Sequence, residues 1–132
     1  MDKLLNIKLC VATFGTIIST LLGGWDLALY VLVSFVVLDY VTGLIAAYHE
    51  QKLDSRIGFK GITRKILLFV PVAMAVMVDD LMGLDILRSF AICFYTANEG
   101  LSVLENLGKV GVLVPPSLLK TLQQLKEKGD SE

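Results

Sequence analysis

Residues 86–107, ILRSFAICFYTANEGLSVLENL, decide the fold. As a helix the stretch is long enough to cross a bilayer, at about 1.5 Å per residue against a hydrocarbon core of about 30 Å. At 100° per residue, Arg88, Tyr95, Asn98, Glu99, Ser102, Glu105 and Asn106 fall within an arc of roughly 120°. The opposite side carries Phe90, Cys93, Phe94, Ala97, Leu101 and Leu104. The pattern predicts an apolar helix with one polar seam. Each ionisable group near the middle of a span costs about 2.5–3.5 kcal/mol if it faces lipid. The seam therefore has to meet a polar surface, another copy of the chain, or water. Hydrogen bonding to a neighbouring helix is one reading; an assembly in which the seam lines an aqueous path is the other.

The rest of the chain carries the same signature. Of its 132 residues 55% are hydrophobic, and mean hydropathy is +0.68. Soluble domains lie nearer about 45–50% apolar, so the composition points to an integral membrane protein. The fold class expected is all-α, a single membrane domain with four transmembrane helices and a short C-terminal amphipathic helix. The spans are read at approximately 5–23, 27–48, 64–80 and 86–107, with a cytoplasmic loop at 49–63 and an interfacial tail at 112–132.

The first run follows Lys3 and Lys8, a start that also describes a signal peptide. LLGGW offers no small-x-small cleavage site, so the run is read as a retained span that turns at Gly23 and Gly24. Trp25 suits the membrane–water boundary. The second span holds one charged group, Asp39, on a face shared with Thr42, Gly43 and Ala46. Small residues four apart allow close helix approach, and an aspartate among them belongs in a bundle or cavity. A helix–helix hydrogen bond and a gating role are both open for it. In the third span Pro71 removes a backbone donor and is expected to kink the helix. Asp79 and Asp80, at its end, are expected at the surface. After Pro115 and Pro116, residues 117–128 place Leu118, Leu122 and Leu125 on one side of a helix too short to span, expected to lie on the inner membrane surface.

Basic residues orient the chain. Eleven of the twelve Lys and Arg lie in the N-terminal segment (Lys3, Lys8), the polar connection from His49 to Lys65 (Lys52, Arg56, Lys60, Arg64, Lys65) and the tail from Gly108 (Lys109, Lys120, Lys126, Lys128); Arg88 is the exception. Both termini and the long loop are therefore expected in the cytoplasm. No enzyme is expected: there is no nucleophile–base pair, and GFKGITRK lacks the spacing of a phosphate-binding loop. Cys10 and Cys93 sit in apolar runs and read as packing residues, and His49 stands alone. No metal or cofactor site and no nucleic-acid surface is expected.

Four stretches resemble one family, the phage holins of the toxin-secretion/phage-lysis type. They are LDYVTGLIAA (38–47), the loop from Leu53 to Lys65 with its SRIGFKGITRK, YTANEGLSVLENLGKVGV (95–112) and PPSLLKTLQQLK (115–126). The third is the most specific, through Asn98-Glu99-Gly100 and Leu104-Glu105-Asn106. The resemblance implies a phage- or prophage-encoded protein of the bacterial cytoplasmic membrane. It would assemble as a homo-oligomer into lesions that release an endolysin as cargo, with an antiholin as a candidate partner. Toxin release by relatives makes a toxin the alternative cargo. Two other readings of the residues stand beside it: a small proton-coupled multidrug transporter with an essential membrane carboxylate, and a regulator that pairs with a holin without forming pores.

Overall fold

A computed structural model describes residues 1–130, so the last two residues of the 112–132 tail lie outside the described part. Six α-helices make up the described residues: α1 (Asp2–Leu21), α2 (Leu27–His49), α3 (Ser55–Leu67), α4 (Phe69–Met82), α5 (Leu87–Lys109) and α6 (Pro116–Asp130). α5 is the central element, packed against α2, α4 and α6.

The helix ends follow local chemistry. Asp26 caps α2 by accepting a hydrogen bond from the Leu29 N–H at 2.9 Å, and Asp54 caps α3 through the Arg56 N–H at 3.0 Å. Gly83, at φ 66°, ends α4 in the left-handed region that a side chain disfavours. α5 has no cap from its own preceding residue. Asp79 supplies one from α4, accepting from the N–H groups of Leu87 at 3.0 Å and Arg88 at 2.9 Å. A carboxylate at a helix N-terminus also opposes the positive end of the helix dipole. Asp79 is thus only 5% exposed, not at the surface as expected; its two backbone partners compensate the burial. Asp80 is exposed.

The third apolar stretch differs from its expected bounds. Helix begins at Ser55, inside the stretch read as loop 49–63, and runs to Met82 with an interruption at Leu68. Pro71 explains the interruption: it has no N–H for the Leu67 carbonyl, and its ring crowds that oxygen. α3 is the amphipathic part of the run and α4 the apolar part.

Among the described residues, three helical stretches are long and apolar enough to cross a membrane: Asp2–Leu21, Leu27–His49 and Ser55–Met82. α5, read from sequence as a fourth span, is not in this set, because its seam lowers its hydropathy. It sits sheltered at the centre of the bundle instead. The buried core is Leu22, Leu29, Leu32, Val72 and Ile92, with Phe69 and Tyr95 packed against it. α1 contributes no buried residue and stands off the bundle across an apolar groove of about 1350 Å³. Its side chains, Leu9, Phe14 and Ile17 among them, are exposed in the way a lipid-facing helix requires.

Candidate functional site

The face of α2 that runs through Leu29, Leu32, Asp39 and Ala46 is its buried face, and α5 packs along it. Gly43 lies on the same side; a Cβ there would stand 3.5 Å from Asn106 Nδ2, so the absence of a larger side chain lets Asn106 approach. Asn106 Nδ2 donates to Asp39 Oδ1 at 2.8 Å, to Thr42 Oγ1 at 3.0 Å and to the Asp39 carbonyl at 3.2 Å. The Thr42 hydroxyl in turn donates to the Leu38 carbonyl one turn back, at 2.7 Å.

At the centre is an ion cluster that joins three helices. Lys65 of α3 donates from Nζ to Glu99 Oε2 of α5 at 2.7 Å and to Asp39 Oδ2 of α2. Asp39 and Glu99 are 8% and 6% exposed, so one ammonium sits between two carboxylates with little water nearby. Asp39 and Glu99 each stand twelve residues from the first residue of their helices, about 18 Å along them at 1.5 Å per residue. The cluster is therefore near mid-length of both α2 and α5. In so dry a place, breaking the set by removing one member costs far more than the intact set contributes.

A second polar site pins the other end of α5. Arg88 donates from Nε to the Leu22 carbonyl at 2.6 Å and from Nη2 to the Gly24 carbonyl at 3.0 Å. It also grips Asp26 through Nη1 at 2.8 Å and Nη2 at 3.2 Å. Gly23, at φ 86°, makes the room: a Cβ there would collide with the Arg88 side chain. The guanidinium holds the Asp26 carboxyl below its ordinary value of 3.8, helped by the Leu29 N–H. A carboxyl depressed in the folded state contributes stability that is complete above its unfolded value and fades as pH falls through its folded one. Detergent-solubilised protein should therefore lose thermal stability as it is acidified below pH 3.8, and Asp26→Asn should lose less over that range. The side chain is half exposed, so the difference will be small. Coincident pH profiles for the two proteins would contradict the clamp.

The structure thus divides the predicted seam. Arg88, Glu99 and Asn106 face inward and bond within the chain. Tyr95 packs on the core, edge-on to Phe94 at 5.2 Å between centroids. Asn98 and Ser102 are half-buried on the flank, outside this hydrogen-bond network. Glu105 is exposed and lies 3.9 Å from Lys109, one turn on. Of the packing residues singled out on α2, Asp39, Thr42 and Gly43 meet α5 directly, and Ala46 is buried. Lys65 is the member that sequence reasoning missed, because it reads as one more basic residue of the central polar connection. The signal was two carboxylates at mid-helix, Asp39 and Glu99, each too far along its own helix from the nearest Lys or Arg to pair with it.

Comparison with known proteins follows the same lines. A family model described as the bacteriophage holin family matches residues 16–127. The chain is 40% identical over 131 residues to an uncharacterized 14.9 kDa protein in the nagH 3' region of Clostridium perfringens, covering 97% of this chain and 99% of that protein. It is 39% identical to an uncharacterized protein of Halalkalibacterium halodurans, over 96% of both chains. It is 37% identical over 97 residues to a probable holin of Bacillus phage phi105, covering 73% of this chain and 72% of that one. No solved structure matches it.

Proposed function

The chain belongs to the bacteriophage holin family, and from that premise we propose that it acts as a non-enzymatic holin. It accumulates in the bacterial cytoplasmic membrane, assembles with copies of itself, and opens lesions through which a cell-wall hydrolase leaves the cell. The observation that carries this reading is the family match over nearly the whole bundle, supported by the likeness to a probable holin.

The geometry suits the role. α1, α2 and the α3–α4 run cross the membrane on their own hydropathy. α5 crosses as a fourth span, with the inward part of its seam, Arg88, Glu99 and Asn106, satisfied by the turn between α1 and α2, by α3 and by α2. The N-terminus, the turn between α2 and α3 and the link from α5 to α6 face the cytoplasm under the positive-inside rule. In this closed arrangement the Asp39–Lys65–Glu99 cluster ties α2, α3 and α5 together, and lesion formation separates or re-pairs those groups. A potential of 100 mV acts on a unit charge with about 2.3 kcal/mol, enough for partial movement of a few charges to bias the rearrangement.

The test is to induce the protein alone in a bacterial host while following membrane potential and viability. A delayed, abrupt collapse of both is the expected result. Continued growth with lowered accumulation of cationic dye would replace the reading with a multidrug transporter. Continued growth with no change in potential or dye would make the chain a regulator of another holin.

A further inference from the structure

Sequence alone leaves α6 as a tail on the inner membrane surface; the structure packs it on α5. α6 folds back antiparallel along α5, with Leu122 against Gly100 and Gly129 against the backbone of Phe94. Lys126 Nζ lies 5.9 Å from the centre of the Phe94 ring. The two glycines allow the approach: a Cβ on Gly129 would be 2.8 Å from the Phe94 nitrogen, and one on Gly100 3.0 Å from Leu122. The docked stripe of α6 is Leu122, Leu125, Lys126 and Gly129, spaced three and four apart; Lys120, Gln123, Gln124 and Glu127 are exposed on the other side.

Depth follows from the register. Phe94 is fifteen residues from Lys109 at the end of α5, about 22 Å along the helix at 1.5 Å per residue. The opposite end of α5 is held by Arg88 at the turn between α1 and α2 and by Asp79 of α4. If α5 crosses, docked α6 reaches beyond the middle of a hydrocarbon core of about 30 Å. Its exposed charges would each cost about 2.5–3.5 kcal/mol against lipid at that depth. Its amides add to the penalty. The inward part of the α5 seam is already engaged with α2, α3 and the outer turn.

We infer that α6 enters the lesion still docked on α5, and that its face bearing Lys120, Gln124 and Glu127 lines the water enclosed between copies of the chain. This rests on the holin reading, and on α5 as a crossing helix. The α5–α6 hairpin is then the wall unit, with α5 satisfying the bundle behind it and α6 supplying the wetted surface.

Two variants of the full-length chain, both lacking Cys10 and Cys93, test it in liposomes loaded with fluorescent dye and in planar bilayers. The first carries Gly100→Cys and Leu122→Cys, where the side chain lost from Leu122 makes room for the new sulfur. Oxidation should lock the hairpin and leave dye release unchanged. The second carries Gln124→Cys, to be reacted with a positively or a negatively charged thiol reagent. The two reagents should move the anion-to-cation permeability ratio in opposite directions by about twofold or more, as rings of charge do in pores. Dye release abolished by the oxidised lock, or a permeability ratio indifferent to both reagents, would return α6 to the membrane surface and overturn the inference while the holin reading stands. No dye release from the unlocked protein would instead overturn the holin reading, and this inference with it.

Discussion

Lys65→Met should destabilise the bundle by about 3–5 kcal/mol, because it leaves two buried carboxylates facing each other with no cation between them. Asp39 and Glu99 reach Lys65 from different helices, so its loss should loosen α2, α3 and α5 together. Methionine keeps much of the aliphatic volume, which confines the change to charge and hydrogen bonding. The measurement is unfolding of the purified protein in mixed micelles by a denaturing detergent. A triple variant, Asp39→Asn with Lys65→Met and Glu99→Gln, is the control. It removes all three charges, and it should recover most of the loss because no unpaired charge remains. If Lys65→Met alone unfolds like the unaltered protein, the cluster does not hold the bundle. If the triple variant is as unstable as the single one, packing around the Lys65 stem matters more than its charge.

Gly100→Leu should cost about 1–3 kcal/mol, in the range of overpacked cores. A Cβ at Gly100 would lie 3.0 Å from Leu122 Cδ1 and 3.0 Å from Phe35 Cε2, so a full leucine must push apart α5, α6 and α2 at once. α6 is the least anchored of the three, and it should be displaced first. Tryptic cleavage after Lys126, which is half-buried over Phe94, should accelerate in the variant, and thermal unfolding in detergent should shift downward. Gly15→Leu is the matched substitution: nothing lies within 4 Å of a Cβ on Gly15, and leucine suits a lipid-facing helix. It should change neither measurement. Equal behaviour of the two variants would mean that α6 does not dock on Gly100 in solution.

Sequence by itself determined the features that come from local periodicity and composition. The apolar runs, the turn at Gly23 and Gly24, the short helix after the paired prolines and the gathering of polar residues on one side of α5 were legible because helix geometry converts spacing into faces. So was the need of Asp39 for a sheltered partner, since an ionisable group among small residues on an apolar helix has few places to go. The resemblance in four stretches likewise pointed to the family that the comparisons identify.

Only the tertiary structure decided which partners those groups meet. Lys65 reads in sequence as one more basic residue of a polar connection; helix starting at Ser55 carries it up to Asp39 and Glu99, residues 26 and 34 positions away along the chain. Asp79 reads as a surface carboxylate until the turn after Gly83 brings the open N-terminus of α5 onto it. α6 reads as an interfacial tail because its own two faces say nothing about depth; two glycines that admit close backbone approach set it against α5. The physical reason is common to all three. Periodicity records which side of a helix is polar, whereas the partner of a polar side depends on contacts between residues far apart in the chain. The cost of burying charge makes such contacts obligatory without naming them in any local pattern.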